Sequence, residues 1–445
     1  MKVQKRDKQF EEFQWHKVEN AIRKAFEACD LPIDEGVMNC MKNKYDVNSD
    51  EIIDVETIQD DIENCLMDCN PRVAKAFIIY RYEHKVLREH RDKLIKGFSQ
   101  KLLAENVENQ NANVDEKSFG GRMGEASRLV VKNYALDYCM SRKARKNHLN
   151  NEIYTHDLDS YAIGNHNCLT YPLDESLAKG VKTRQTDIRP AKSISTAFQL
   201  LAVFFQIQSL QQFGGISASH LDWSMVPYVR MSFYKHFLKY FIHQKENEKN
   251  VDILSMSSDD RSNFRKQCKE GFNKLYNINY EKFSMGSFSM DCVNFHVDDE
   301  RIKNINRIWY NNALDDTLNE LAQAVEGMYH NLNSLQSRSG NQLPFSSINY
   351  GTCTLAEGRM VIKALLEGSI KGIGKFHKTP IFPCGIFQLM KGVNRKEGEP
   401  NYDLYQLALK STSQRLYPNY ANCDWSGNEG YDKNDPRTYF STMGK

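Results

Sequence analysis

Between Glu152 and Leu173, one cysteine, two histidines and two aspartates fall close together: His156, Asp157, Asp159, His166 and Cys168. Side chains of these types hold metals, move protons or attack electrophiles. As a metal centre the spacing is unspecific. It is neither an HExxH helix pair nor a CxxC zinc pattern, and a His-Asp-x-Asp run is more commonly a hydrogen-bonded loop. A nucleophile pairing Cys168 with His156 or His166 is equally unspecific, because reactive pairs are adjacent in space rather than in sequence. Cys168 itself lies where a polar loop meets a strand. It is either a small packed residue or a reactive thiol, and residue types alone leave both readings open.

A second set of chemical groups, Lys5, Arg6 and Lys17, sits at the start of the chain. Val3 to Phe13 reads as two short strands around an Asp7-Lys8 turn, although Asp-Gly would suit the turn better. Val18, Ala21, Ile22, Ala25 and Phe26 recur at helical spacing, as do Ile58, Ile62, Cys65 and Leu66. A further helix is capped by Asn70, has Pro71 at its first position and buries Val73, Phe77 and Tyr80. A hairpin with three or four helices in about ninety residues is a self-contained small domain, here 1–95. Its cations could face a triphosphate, arginine bidentately and lysine as a point charge. A Lys-Arg pair on a hairpin is otherwise a solvated face.

Residues 96–112 are polar and expected to form a linker, followed by a second domain at 113–445. There Gly120-Gly121 is expected as a turn before a helix of Ala126, Leu129, Val130 and Leu136. Ile194 to Phe213 reads as an apolar helix stopping at Gly214-Gly215. Asn311 to Leu332 is a second long helix, with Leu314, Leu318, Leu321, Val325 and Met328 on one face. Strands are expected at Phe345 to Gly351 and Thr379 to Pro383, separated by a helix from Ala356 to Glu367. Gln244 to Phe264 and Met390 to Tyr402 read as loops. Strands alternating with helices predict an α/β fold, a parallel sheet or barrel, with reactive groups at strand ends.

Length suggests two or three domains, and a net charge of +2 over 445 residues gives no reason to expect nucleic-acid or membrane binding. The eleven cysteines contain no CxxC pair, and no apolar leader opens the chain, which favours a reducing interior. Leu200 to Phe205, the most apolar segment, is interrupted by Gln199 and Gln206 and cannot span a bilayer. A cytoplasmic soluble protein is expected.

Family resemblances add to this. Val3-x-Lys5-Arg6-Asp7, Phe13, Lys17-Val18, Val55-Glu-Thr57-Ile-Gln59 and Val73 to Arg81 together resemble the ATP-cone, the nucleotide-sensing domain at the N-terminus of many ribonucleotide reductases. The resemblance implies ATP or dATP as effectors at Val3, Lys5, Arg6, Lys17 and Thr57, with Lys8 where the pattern has glycine. Further on, Ile153 to Asp159 with His166-Asn-Cys168-Leu169 resembles the first barrel strand of anaerobic ribonucleoside-triphosphate reductases. Lys192-Ser193-Ile-Ser195-Thr-Ala197, Gln212-Phe-Gly214-Gly215, His330 to Thr352, Pro380 to Pro383 and Asn401 to Leu404 continue that resemblance to residue 444. It implies an α+β ATP-cone domain followed by a ten-stranded α/β barrel, here incomplete.

The implied activity is radical reduction of ribonucleoside triphosphates. A glycyl radical, made by a partner S-adenosylmethionine activase carrying an iron–sulfur cluster, converts a cysteine to a thiyl. The thiyl abstracts the ribose 3′-hydrogen, and the 2′-hydroxyl leaves as water. A second cysteine on the first barrel strand takes part in the reduction, and Cys168 matches it. Ser193, Ser195, Gly214, Gly215, Ser347 and Asn349 are implied in substrate positioning. Where the family reads Met-Gly-Cys, this chain reads Met443-Gly444-Lys445, so Met443 stands beside a missing radical cysteine. The remaining strands, the zinc site with its paired cysteines and the radical glycine are missing too. Two outcomes are therefore expected: a reductase part that is catalytic only when completed by another chain, or a nucleotide-binding fragment without chemistry. A homodimer is implied, and the open barrel's unpaired strand edges are expected to lower stability.

Overall fold

The computed structural model describes residues 1–445 apart from 7, 46–49, 104–117, 165, 185, 250–254, 279–294, 339–341, 426 and 444–445, and apart from the side chains of 90–93 and 101–103. The chain divides into two compact units, Met1–Gln100 and Lys101–Lys445.

The smaller unit runs β1 (Lys2–Gln4), β2 (Phe10–Glu12), α1 (Trp15–Glu27), α2 (Glu35–Lys44), β3 (Ile52–Asp54), α3 (Val55–Cys69) and α4 (Pro71–Leu103). β1 is central: it pairs antiparallel with β2, placing Val3 opposite Glu11, and parallel with β3, placing Val3 opposite Ile53. Lys8 takes the left-handed conformation at φ 64, at the place where the family pattern has glycine; Asp7 lies outside the described residues. The apolar faces of the helices converge on one core that includes Ile22, Phe26, Val37, Met41, Ile62, Leu66, Val73 and Phe77. Asn70 Oδ1 accepts from Val73 N at 3.3 Å, the cap expected for α4. One expectation fails here. The helix continues to Leu103, so the expected linker begins inside it, and residues 104–112 are outside the described residues. After Pro71 this helix contains no further proline and one glycine, and polarity alone does not stop a helix.

The larger unit opens with α5 (Phe119–Tyr134), a π-helical turn at Ala135–Cys139, α6 (Arg142–Leu149) and α7 (Leu158–Tyr161). Then come β4 (Leu169–Thr170), α8 (Leu173–Lys179), the hairpin of β5 (Val181–Lys182) and β6 (Asp187–Ile188), α9 (Ile194–Ser209), β7 (Ile216–Ala218), α10 (Leu221–Ser224), α11 (Val226–Glu248), α12 (Ser258–Leu275) and α13 (Glu300–Ile305). The remainder is α14 (Arg307–Ser334), β8 (Ser346–Tyr350), α15 (Ala356–Lys371), β9 (Cys384–Leu389), α16 (Tyr402–Arg415) and β10 (Asn419–Asn422).

β4, β7, β8, β9 and β10 form one sheet in the order β10-β9-β8-β7-β4, and every pairing is parallel. The α/β expectation therefore holds. Among the described residues the parallel sheet has five strands rather than ten, with β4 and β10 at its edges. Its helix-facing side belongs to a large core with Phe198, Leu201, Phe233, Phe237, Leu321, Val325, Ile362 and Leu365. Beneath the sheet, Arg230 of α11 donates from Nε to Glu357 of α15 at 3.0 Å, both side chains being 1% exposed. No described helix is long and apolar enough to cross a membrane.

Four local expectations are corrected. Gly120 and Gly121 lie in the first turn of α5 rather than before it, because Ser118 Oγ accepts from Gly121 N at 3.0 Å and starts the helix early. The expected loop from 244 to 264 is the end of α11 and the start of α12, with 250–254 outside the described residues. The strand expected at 379–383 begins instead at Cys384, since Pro380 and Pro383 have no N–H for a ladder. α9 ends at Ser209, five residues before Gly214 of the Gly-Gly pair read as its stop.

Candidate functional site

Strand alternation sorts the sheet into two faces. Ser217 pairs in register with Ser347, and Asn349 lies on that same face of β8. Asn349 is registered to Ile386 of β9, which puts Gln388 on the same face. Ile216, Ala218, Ile348, Tyr350 and Phe387 point the other way, into the core. Ser217, Ser347, Asn349 and Gln388 are all buried although polar, and buried polar groups need partners. Asn349 Nδ2 donates to Ser217 Oγ and the Ala218 carbonyl, both at 3.1 Å. The same side chain holds the chain's last described residues: it donates to Thr442 O at 3.0 Å and accepts from Thr442 N at 3.1 Å. Gln388 Nε2 donates to Phe440 O at 2.8 Å. These two amides seat the terminal segment on the polar face, and half-buried Met443 follows directly.

Cys168 immediately precedes β4. Thr170 is registered to Ser217, and period-two alternation puts Cys168 on the same polar face. The thiol is exposed. It donates to Asn167 Oδ1 at 3.4 Å and accepts from Gly215 N at 3.3 Å. The neighbouring Gly214 explains why the Gly-Gly pair is there. A Cβ at Gly214 would lie 2.1 Å from the Asn167 carbonyl carbon and 2.5 Å from Cys168 N. The pair permits the close approach that brings an amide to the sulfur.

Elsewhere in the Glu152–Leu173 stretch, His156 and Asp157 line the cavity that borders Gly215 and Ser347. Asp159 accepts from Arg128 Nε at 2.6 Å, and His156 pairs with Asp157. Among the described residues the hydrogen-bond partners of Cys168 are Asn167 and Gly215, and no imidazole is among them. Ser193 caps α9 through Thr196 N at 3.2 Å, while Ile194 N goes to Ser232 Oγ and Ser195 N to Glu320 Oε1. The first turn of α9 is thus occupied by the protein's own oxygens. Among the described residues, the side chains that converge as metal ligands would are His296, Asp298 and Glu357. There Glu357 Oε1 is already taken by Arg230 and by Val297 N.

A cavity of about 480 Å³ borders Gly215 and Ser347. Arg128 and Arg338 line it, with Phe345, Phe382 and Tyr417 as apolar walls. Arg338 is buried, lies 4.0 Å above the Phe345 ring and bonds to Gln342. Burial, and then the charge of Arg128, lower its guanidinium to about 10. Arg338 received no role from the sequence, although it lies in the His330 to Thr352 motif. Gln388 was missed because its strand was expected five residues too early.

The smaller unit has a cavity of about 560 Å³, lined by Arg6, Lys17, Lys24, Arg81, His84 and Arg88 among others. Val3, Lys5 and Thr57 do not line it: Val3 packs on the core, Lys5 pairs with Glu11, and Thr57 is exposed on α3. Phe77, Arg81, His84 and Arg88 were legible as one stripe of α4, at offsets of four, seven and eleven residues. The cations carry internal counter-ions. Lys5 and Lys17 both pair with Glu11, Arg6 pairs with Glu56, and Arg81 bonds Glu56, Asp60 and Glu63 at 2.7, 2.6 and 2.8 Å. Lys17 and then Lys5 hold the Glu11 carboxyl down at about 2, and Arg6 and then Arg81 do the same for Glu56. Both values lie below the ordinary 4.5. A carboxyl with a depressed folded pKa stabilises the fold above its unfolded value and loses that contribution as pH falls through the folded one. Acid titration of the chain should therefore show stability falling between pH 4.5 and about 2. A Glu11→Gln, Glu56→Gln double variant should flatten that part of a melting-temperature profile.

Comparisons with known proteins converge on one family. The family model described as anaerobic ribonucleoside-triphosphate reductase matches residues 110–444, and the ATP cone domain model matches residues 1–86. The anaerobic ribonucleoside-triphosphate reductase of Haemophilus influenzae is 30% identical over 433 residues, covering 95% of this chain and 52% of the relative. That of Escherichia coli is 29% identical over 378 residues, covering 84% of this chain and 44% of the relative. A crystal structure of the anaerobic ribonucleotide reductase from Thermotoga maritima, in complex with dATP and CTP, aligns with 78% of this chain and 50% of its own at a TM-score of 0.43 and 14% identity. The chain spans about half the length of the curated relatives it matches. With matches over both units, this chain belongs to the anaerobic ribonucleoside-triphosphate reductase family and begins with an ATP cone domain.

Proposed function

We propose that this chain supplies the nucleotide-sensing domain and the Cys168 side of the catalytic site for anaerobic reduction of ribonucleoside triphosphates to deoxyribonucleoside triphosphates. The observation that carries the reading is the setting of Cys168. Its sulfur sits on the polar face of the parallel sheet, oriented by the Gly215 amide, and that same face holds the terminal segment through Asn349 and Gln388. A thiol there can exchange a hydrogen atom with a ribose radical, which a hydroxyl cannot do because its O–H bond is too strong. The family's glycyl radical, made by an S-adenosylmethionine activase, supplies the one-electron oxidation that starts such chemistry. Within this chain the Gly215 amide and the Asn167 side-chain Oδ1 hold the thiol, Arg128 and Arg338 line the neighbouring cavity, and Asn349 fixes the approaching backbone. The family resemblance implies a homodimer, and the ten described cysteines, all free thiols, fit a reducing cytoplasm.

Two measurements test the reading. In a complete enzyme, Cys168→Ser should abolish deoxynucleotide formation while leaving nucleotide binding intact; retained turnover would remove the assigned role. In the smaller unit, ATP or dATP binds among Arg6, Lys17 and Arg81, displacing Glu56 from Arg6. Arg6→Ala should weaken binding by roughly 10–100-fold in calorimetry, the range for a lost charged hydrogen bond. A second reading has its own observation: the cationic cavity is built entirely within Met1–Gln100, so the chain could bind nucleotide without performing chemistry. Mixing the chain with an activase, formate or a dithiol, and nucleotide separates the two readings. Any deoxynucleotide product excludes the second.

A further inference from the structure

One reactive cluster in the smaller unit has no part in the nucleotide cavity. Cys65 of α3 is buried, and its Sγ lies 3.8 Å from the Val37 carbonyl of α2. That carbonyl belongs to the helical turn carrying Cys40. Cys40 and Cys69 are the thiols neighbouring Cys65, Cys40 three residues after Val37 on α2 and Cys69 one turn further along α3. Cys40 and Cys69 are exposed. Lys44, also on α2, interacts electrostatically with both Cys40 and Cys65 while its ammonium is held 2.5 Å from Asp61. Cys40 is thus an accessible thiol next to a buried one, and access is what thiol exchange with a small molecule first requires. The three sulfurs are not among the groups of the described residues that converge as metal ligands would, which favours pairwise sulfur chemistry over a shared ion.

We propose that Cys40, Cys65 and Cys69 form a thiol–disulfide site, with exposed Cys40 as the entry point and Cys65 closing a cross-link between α2 and α3. First the Cys40 thiol loses its proton to solvent and attacks a small-molecule disulfide. A mixed disulfide forms, and one small thiolate leaves and takes up a proton. Cys65 then loses its proton and attacks the Cys40 sulfur, breaking the bond to the small molecule, which leaves as a second thiol. Two protein thiols are oxidised by two electrons, and one disulfide is reduced to two thiols. Burial, and then the adjacent thiols, push Cys65 up to about 12, so closing the cross-link is the slow step. Cys69 lies beside Cys65 as a second thiol through which the bond can be passed on.

The test treats the full chain with oxidised glutathione under anaerobic conditions, then blocks remaining thiols and maps peptides by mass spectrometry. A Cys40–Cys65 linked peptide that dithiothreitol reverses is the expected result. Cys65→Ser and Cys65→Ala should each stop at a glutathione adduct on Cys40 and lose the cross-link. The proposal is overturned if Cys40 stays unmodified while exposed Cys139 reacts. It is equally overturned if the natural chain accumulates only the Cys40 adduct, or if the Cys65 variants still cross-link Cys40.

Discussion

Replacing Glu357 with glutamine should destabilise the larger unit by about 3–5 kcal/mol, the range for breaking a buried ion pair by neutralising one member. Glu357 and Arg230 are each 1% exposed and meet at 3.0 Å. The carboxylate also takes Val297 N at 3.0 Å, so one oxygen ties α11, α15 and the segment before α13 together. Glutamine keeps the shape and an acceptor but removes the negative charge that faces the Arg230 guanidinium in a packed core. Urea denaturation should show a lower midpoint with little change in slope. The pair is not a net source of stability, because both ions lost their hydration on folding. A double replacement, Arg230→Met with Glu357→Leu, should therefore recover much of the loss. If the single variant melts like the natural chain, the pair is not buried as described.

Gly214→Ala should detach the site strand. Its new methyl would meet Asn167 and Cys168 backbone atoms at 2.1–2.5 Å, and backbone cannot rotate aside as a side chain can. β4 pairs through only two residues, Leu169 with Ile216 and Thr170 with Ser217, at the edge of the sheet. It is the element most easily displaced, at a cost of roughly 1–3 kcal/mol for overpacking. The specific signature is at Cys168. Losing the Gly215 amide should change its alkylation rate in peptide mapping while Cys139 reacts as before. Gly327→Ala is the control. It lies mid-helix with no heavy atom within 4 Å of the added carbon, and should stabilise the chain by about 0.5–1 kcal/mol.

Much of the architecture was legible as local pattern. Helical periodicity located the cores of α1, α3, α9 and α14, and the alternation of strands with helices gave the α/β class. β8 was found because Phe345 to Gly351 is an uninterrupted strand-like run. Errors arose where a local signal had two meanings. The Gly-Gly pair at 214–215 looked like a helix stop, yet α9 ends at Ser209 and the glycines serve a backbone forty-seven residues away. Pro380 and Pro383 looked like part of a strand, yet they delay its start to Cys384.

By itself the sequence determined the residue types, the helices and strands that short-range periodicity specifies, and the family motifs around Arg6 and Cys168. Tertiary structure decided which of these groups meet. It set Gly215 N on the Cys168 sulfur, Asn349 and Gln388 on the terminal segment, and Glu11 and Glu56 on the cations of the smaller unit's cavity. It also brought Cys40 to Cys65 across two helices. Strand register and helix packing are settled by burying the whole core at once. Contacts between residues far apart in the chain therefore have no local signature to read.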